Sequence, residues 1–234
     1  MAASALPPGG RRPWLKVCGL RQSEQAAQVA AAGVDAIGVI AVPSSPRWLE
    51  PADRPALFSA VVRSAPACLG VLVVADPQDA DLPHLRPQAG HHVLQLHGSE
   101  SPQRCLELRR ALGADLGLWK ALRIRSPEDL QLAHHYAEVV DALLLDAWVP
   151  DQLGGTGHRI PVEWLTAFQP PLPWWLAGGL NPERVAPALE ALASAPPAGL
   201  DVSSGVEVAP GVKDLKRVAA LLAAVTPFRQ DHCI

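Results

Sequence analysis

The sequence predicts an α/β protein with one domain, a (β/α)₈ barrel of the TIM type. The chain has 234 residues, close to the ~250 that are typical of such barrels. Short apolar segments alternate with helix-forming segments eight times along it, which is typical of a closed parallel sheet. The competing fold is a doubly wound open sheet. It rarely has eight regular units, and no Gly-x-Gly-x-x-Gly sequence opens the first helix.

Eight apolar segments have the length and composition of buried strands. The first six span residues 14–19, 35–40, 68–74, 92–98, 116–122 and 141–146, and the last two begin at Trp174 and Leu200. Because all strands of such a barrel are parallel, we expect their carboxyl ends to meet at one rim, where barrel enzymes have their active sites.

The segments between the strands carry helix signals. Ser101 and Ser126 are predicted N-cap residues, and Gly33 and Gly113 are expected to end the helices before them. The predicted helices cover residues 24–32, 51–64, 77–85, 101–112, 126–136, 161–168 and 213–225, and Asn181 is expected to cap one more. A longer loop, 147–160, contains Gly154-Gly155-Thr156-Gly157.

Composition sets the limits of the domain and the classes of partner. Residues 1–12 are small, Pro/Gly-rich and basic, so we expect a disordered tail, a barrel over 13–225 and a second tail over 226–234. Hydrophobic residues make up 49% of the chain and its net charge is −3 without a basic run. This argues against nucleic acid as a partner. No apolar run could span a bilayer, so we expect a cytoplasmic protein. We also expect it to be a monomer or a homodimer.

The cysteines and histidines predict neither a disulfide framework nor a metal site. The four cysteines are widely spaced in a long chain, and the histidine pairs 91–92 and 134–135 lack a third ligand. Cys68 and Cys105 lie in or beside apolar runs and are expected in the core, whereas Cys233 belongs to the tail. Trp174 and Trp175 are expected to be core residues.

The last two strands each run into a turn of small residues. Gly178 and Gly179 follow the seventh strand, and Ser203-Ser204-Gly205 follows the eighth. Such turns expose backbone N–H groups, and a helix N-terminus adds partial positive charge. In barrels of this kind the loops after strands seven and eight commonly bind phosphate. The two turns therefore predict a phosphate site.

A thiol and a carboxyl group end two other strands. Cys18 ends the first strand, and Lys16 shares its face because side chains alternate along a strand. A nearby ammonium group is expected to lower the thiol pKa. Asp146 ends the sixth strand after three leucines, and this apolar setting disfavours the ionised carboxylate, which suits a general acid. Packing would also explain a lone Cys18, and capping of the next loop would explain Asp146.

Three more polar residues lie at or near strand ends. Arg47 comes after strand two, and the preceding proline restricts the backbone and favours a fixed donor over a solvated loop residue. His97 ends strand four, and Gln95 lies on the same face. A turn histidine bonded to backbone would equally explain His97.

Seven segments resemble, in order, those of the phosphoribosylanthranilate isomerase family of tryptophan biosynthesis. The resemblance covers residues 15–225. The segments are Lys16-Val17-Cys18-Gly19-Leu20, Ser45-Pro46-Arg47, Leu94-Gln95-Leu96-His97-Gly98, Leu144-Leu145-Asp146, Gly154-Gly155-Thr156-Gly157, Leu176-Ala177-Gly178-Gly179-Leu180 and Asp201-Val202-Ser203-Ser204-Gly205-Val206-Glu207.

The resemblance implies an Amadori rearrangement of N-(5-phosphoribosyl)anthranilate without metal or cofactor. It makes Cys18 the general base and Asp146 the general acid. The implied substrate-binding residues are Arg47, Gln95, His97 and Asp201, and the implied phosphate-binding residues are Gly178, Gly179, Ser203, Ser204 and Gly205.

Two departures from the family's pattern are visible. His158-Arg159 follows Gly157 where the family usually has lysine, and the strand-two exit, Val39-Ile40-Ala41-Val42, lacks the usual aromatic residues. The alternatives are another phosphate-binding barrel enzyme and a non-catalytic barrel that binds a phosphometabolite. The latter would tolerate loss of Cys18 and Asp146.

Overall fold

Eight parallel strands close into a barrel, which confirms the predicted fold. The structure is a computed structural model that describes residue 6 and residues 11–147 and 159–231, and within these residues the barrel order follows the sequence. Numbered around the barrel, the strands are β1 (Trp14–Cys18), β2 (Ala36–Ile40), β3 (Leu69–Val74), β4 (Val93–Leu96), β5 (Gly117–Ile124), β6 (Ala142–Ala147), β7 (Trp174–Leu176) and β8 (Gly199–Val202).

The pairing register sets which residues meet at the rim. The ring is closed by β1 and β8, with Lys16 opposite Asp201. On the other side of β1, Cys18 pairs with Gly38 of β2. Each predicted strand boundary agrees with the observed one to within two residues.

Helices cover the outside of the barrel. They are α1 (Ser23–Ala31), α2 (Arg54–Ser64), α3 (Leu82–Leu85), α4 (Pro102–Leu112), α5 (Val185–Ala191) and α6 (Leu215–Val225). The predicted cap at Ser101 is present, since its hydroxyl accepts from the Arg104 backbone N–H at 3.1 Å. Gly33 and Gly113 follow helices with φ of 102° and 97°, a conformation that favours glycine.

Several helix predictions were wrong in kind or extent. Pro127–Tyr136 is a 3₁₀-helix, and only Val162–Trp164 of the segment 161–168 is helical, again 3₁₀. Asn181 does not cap a helix with its side chain. Its carbonyl accepts from the N–H groups of Arg184 and Val185 in a turn, and α5 begins after that turn.

The start of the last helix was also misplaced. Val212–Lys213 pairs with Glu207–Ala209 as an antiparallel hairpin, with Glu207 opposite Lys213. The helix α6 begins only at Leu215, where the Asp214 side chain accepts from two backbone N–H groups. The Gly211 φ of 82° marks the hairpin turn.

Hydrophobic residues form two layers. The larger lies between strands and helices and includes Cys68, Cys105 and Trp174, as predicted for these residues. The smaller fills the barrel interior, where the Trp175 ring lies 4.7 Å from that of Trp119. Gly199 makes room for it, because a Cβ there would be 2.3 Å from the Trp175 ring.

Ordered structure continues into both segments expected as tails. Arg11–Arg12 pairs with Gln230–Asp231 in a separate two-stranded antiparallel sheet. Three predicted features lie outside the described residues. They are the rest of the N-terminal segment apart from residue 6, the end of the C-terminal segment with Cys233, and most of the loop 147–160 with Gly154-Gly155-Thr156-Gly157. Across the described ranges, none of the helices has the length and apolarity to cross a membrane.

Candidate active site

One pocket opens at the carboxyl ends of the strands. All the site residues predicted from the sequence line it except Gly205. Residues with no predicted role complete the wall, mainly the aliphatic side chains of Ile40, Val42, Val73 and Leu180. The strand-two exit, which lacks aromatic residues, thus contributes Ile40 and Val42 to an apolar side of the pocket.

Cys18 ends β1 in a crowded position. Its carbonyl accepts hydrogen bonds from the Ser203 hydroxyl at 3.0 Å and from the Lys213 ammonium. A Cβ on Gly38 would lie 2.6 Å from the Cys18 Sγ. The backbone of Cys18 is therefore held by two donors, and its thiol fits because the facing residue on β2 is glycine.

The electrostatic setting of the thiol corrects one prediction. Lys16 is fully buried and its Nζ lies 2.9 Å from Oδ1 of Asp201. Burial raises the pKa of the Cys18 thiol and outweighs the opposing effect of Lys16. Lys16 does act to lower that pKa, as expected, but the net shift is upward, because burial has the larger effect and the carboxylate of Asp201 also disfavours a thiolate.

Asp146, His97 and Gln95 form a chain of polar contacts across the pocket. The Gln95 Nε2 lies 3.0 Å from Nδ1 of His97. With the Gln95 amide in this orientation its nitrogen donates and Nδ1 accepts, which assigns the hydrogen of a neutral ring to Nε2. That Nε2 is 3.3 Å from Oδ2 of Asp146 and has no aligned acceptor among the described residues. The ring N–H therefore faces the carboxyl group at the end of β6.

Arg47 does not stand free on its loop. Its guanidinium forms a fork with the Glu207 carboxylate, with Nη2–Oε2 at 2.7 Å and Nε–Oε1 at 3.0 Å. The Lys213 Nζ donates to the same Oε1 at 2.6 Å. Sequence reasoning assigned no role to Glu207 and placed Lys213 in a helix. The Pro210-Gly211 turn between them was the available signal for a hairpin.

The turns after β7 and β8 lie side by side, as predicted. Gly178 and Gly179 have φ of 86° and 62°, which favour glycine. Gly205 lies behind the pocket wall, where a Cβ would be 1.9 Å from the Leu180 carbonyl oxygen. Gly205 thus lets the two turns approach, and Ser203 and Ser204 reach the pocket beside Gly178 and Gly179.

The pocket is lined by a thiol and a carboxyl group from different strands. Within the described ranges, no three His, Cys, Asp or Glu side chains are placed to share an ion. The thiol and the carboxyl group come from β1 and β6, with β8 and β7 between them on the shorter way around the ring. The fold and the position of the pocket are those of the (β/α)₈-barrel enzymes, whose active sites lie at the carboxyl ends of the strands.

Comparison with known proteins gives the particular family. The chain belongs to the N-(5'-phosphoribosyl)anthranilate isomerase family, whose sequence model matches residues 15–224. The named isomerase of Microcystis aeruginosa is 44% identical over 218 residues, which cover 93% of this chain and 99% of that protein.

Solved structures agree with this assignment. The phosphoribosyl anthranilate isomerase of Thermus thermophilus is similar with a TM-score of 0.77 at 31% identity, covering 92% of this chain and 100% of that one. A second solved isomerase, in complex with reduced 1-(o-carboxyphenylamino)-1-deoxyribulose 5-phosphate, has a TM-score of 0.72 at 27% identity. It covers 92% of this chain and 98% of that one.

Proposed function

We propose that Cys18 and Asp146 act as general base and general acid in the isomerisation for which the family is named. The chain is an aldose–ketose isomerase of tryptophan biosynthesis. Its substrate is the aminoaldose N-(5-phosphoribosyl)anthranilate and its product is the aminoketose 1-(2-carboxyphenylamino)-1-deoxyribulose 5-phosphate. The observation that carries the proposal is one pocket lined by a thiol, a carboxyl group and two phosphate-type turns.

The first step is opening of the ribose ring. Asp146 donates a proton to the ring oxygen, the bond from that oxygen to C1 breaks, and the nitrogen lone pair forms the C1=N bond of a Schiff base. The aspartate is left as a carboxylate. The His97 Nε2–H faces that carboxylate at 3.3 Å, so it would stabilise the charge that the step creates.

The second step is removal of the C2 proton. The Cys18 thiolate takes the proton, the C–H electron pair forms a C1=C2 bond, and the electrons of C1=N return to nitrogen. The resulting enolamine then tautomerises: the C1=C2 electron pair takes a proton at C1, the C2 hydroxyl loses its proton, and the O–H electron pair forms the C2=O bond of the ketone. The imine is the electron sink for this step. Ring opening needs a proton donor and C–H removal needs a base on the other side of the sugar, and the positions of Asp146 on β6 and Cys18 on β1 support these roles.

Binding groups hold the two ends of the substrate. We assign the phosphate to the backbone N–H groups of the turns after β7 and β8, and the ring carboxylate to Arg47. Gln95 and Asp201 line the space between these ends. The solved relative that holds a reduced product analogue supports this assignment, because the bound compound carries both a phosphate and a carboxylate.

The proposal is tested by following the fluorescence of freshly made phosphoribosylanthranilate. We expect its consumption at catalytic enzyme concentration, with appearance of the aminoketose. Binding of the phosphorylated substrate without consumption at micromolar enzyme would contradict catalysis and support a binding barrel. Consumption that survives loss of both Cys18 and Asp146 would contradict the assigned roles and leave the reaction in place.

A further inference from the structure

A buried ion cluster lies behind the pocket wall, and two of its three members have no role in the mechanism above. Glu207 and Lys213 face each other in the hairpin 207–213, and Arg47 reaches them from the loop after β2. The side chains of these residues are 5%, 0% and 11% exposed, respectively. Charged groups this deeply buried need partners, so the contacts within the cluster show which groups hold each charge in place.

Five donor contacts saturate the Glu207 carboxylate. Its Oε1 accepts from Arg47 Nε at 3.0 Å, Lys213 Nζ at 2.6 Å and Gly211 N at 3.1 Å, and its Oε2 accepts from Arg47 Nη2 at 2.7 Å and Nε at 3.2 Å. Burial alone would raise the pKa of Glu207, but Arg47 and Lys213 together lower it. The carboxylate is therefore ionised and fixed.

The cluster carries unbalanced charge beside the pocket. Two cations share one carboxylate, which leaves one positive charge in excess. Glu207 takes Nε and Nη2 of Arg47, and no described residue accepts from Nη1. Arg47 also lines the pocket, whereas Glu207 and Lys213 do not. A guanidinium held on one edge, with its other edge available, is prepared to pair with an anionic group of the ligand.

The cluster is also tied to the ends of two strands. Lys213 Nζ donates to the carbonyl oxygens of Cys18 and, at 3.3 Å, of Ser203. The stem of Arg47 passes over Gly19, where a Cβ would lie 2.6 Å from the Arg47 Cδ. The position of Arg47 is thus set relative to the same strand that carries the thiol.

We propose that Glu207, held by Lys213, is a positioning residue that fixes the Arg47 guanidinium for the carboxylate on the aromatic ring of the substrate. This inference rests on the role proposed above for Arg47. It adds that recognition of the carboxylate depends on a second carboxylate that never touches the ligand. Glu207 supplies geometry, because ordering a long arginine side chain at the moment of binding would weaken binding.

The test combines variants with two substrates. One is phosphoribosylanthranilate and the other is its analogue made from aniline, which lacks the ring carboxylate. For Glu207→Gln we expect KM for the first to rise about tenfold, the scale of one charged hydrogen bond, with KM for the analogue unchanged. Combining Glu207→Gln with Arg47→Ala should add nothing to the effect of Arg47→Ala alone.

A matched control separates positioning from folding. Asp141 also holds an arginine, with Oδ2 2.9 Å from Arg109 Nη2, but outside the pocket. For Asp141→Asn we expect unchanged KM values for both substrates. If Glu207→Gln raises both KM values alike, the residue is merely structural and the inference is wrong.

The two proposals fail in different ways. If Arg47→Ala leaves the ratio of the two KM values unchanged, Arg47 does not bind the carboxylate and its proposed role fails. If Arg47→Ala changes that ratio and a folded Glu207→Gln does not, only the positioning role fails. Thermal unfolding of each variant shows whether it is folded.

Discussion

Replacing Gly38 by alanine tests whether catalysis depends on the placement of the Cys18 thiol. Gly38 lies on β2 opposite Cys18 in the register. A Cβ there would be 2.6 Å from Cys18 Sγ and 3.1 Å from Lys16 Cε. Ordinary van der Waals separation is about 3.5–4.0 Å, so the thiol must move by about 1 Å. A misplacement of that size can lower turnover about 100-fold.

Gly38→Ala is also expected to lower the unfolding free energy, but this loss is not specific to the active site. Overpacking a core position by one methyl group costs about 1–3 kcal/mol of unfolding free energy. Gly70 offers a matched control on β3. Its added Cβ would lie 2.6 Å from Cδ1 of Phe58, on the helix side of the barrel. Neither glycine has a positive φ, so both substitutions act by crowding.

The assay pairs steady-state turnover with urea unfolding. We expect Gly38→Ala and Gly70→Ala to lose similar amounts of unfolding free energy, but only Gly38→Ala to lose about two orders of magnitude in kcat. The thiol of Gly38→Ala should also react with iodoacetamide at an altered rate. Full turnover in a folded Gly38→Ala enzyme would refute the placement argument.

Three further predictions concern charge. Because burial raises the pKa of Cys18 and a base must be unprotonated, kcat/KM should rise with pH through the alkaline range; a flat profile there would exclude a thiolate base. Arg47→Ala should mainly raise KM, and an unchanged KM would exclude the carboxylate contact. Lys120→Met should lower the unfolding free energy by about 3–5 kcal/mol, because it leaves Glu100 buried without its partner at 2.9 Å. Urea unfolding measures this loss, which adding Glu100→Gln should partly restore.

The fold could be predicted because its signals are local and repeated. Each strand is a short apolar run, and caps such as Ser101 and stops such as Gly113 mark the helices between them. Weak helices were predicted less well. The segment 127–136 became a 3₁₀-helix and α5 began beyond Asn181, because tertiary packing decides such short elements more than propensity does.

The sequence could predict those pocket residues that lie at the carboxyl ends of strands, where barrel enzymes have their active sites. Cys18 and Asp146 could be placed at the pocket because they lie at strand ends, and the parallel barrel brings strand ends together. Contacts between distant segments were not available from the sequence. The pairing of Lys16 with Asp201 spans 185 residues and that of Arg47 with Glu207 spans 160. The first of these places a carboxylate beside Lys16 that opposes a thiolate at Cys18, although burial is the main reason that the pKa of this thiol is raised.

The central claim is that Cys18 and Asp146 divide the chemistry between them. The most direct measurement is the fluorescence-monitored turnover of Cys18→Ala and Asp146→Asn beside the unchanged enzyme. Each variant should remain folded and lose at least about 100-fold in kcat, the scale of general acid–base catalysis. Near-normal turnover in either folded variant would contradict the assigned mechanism.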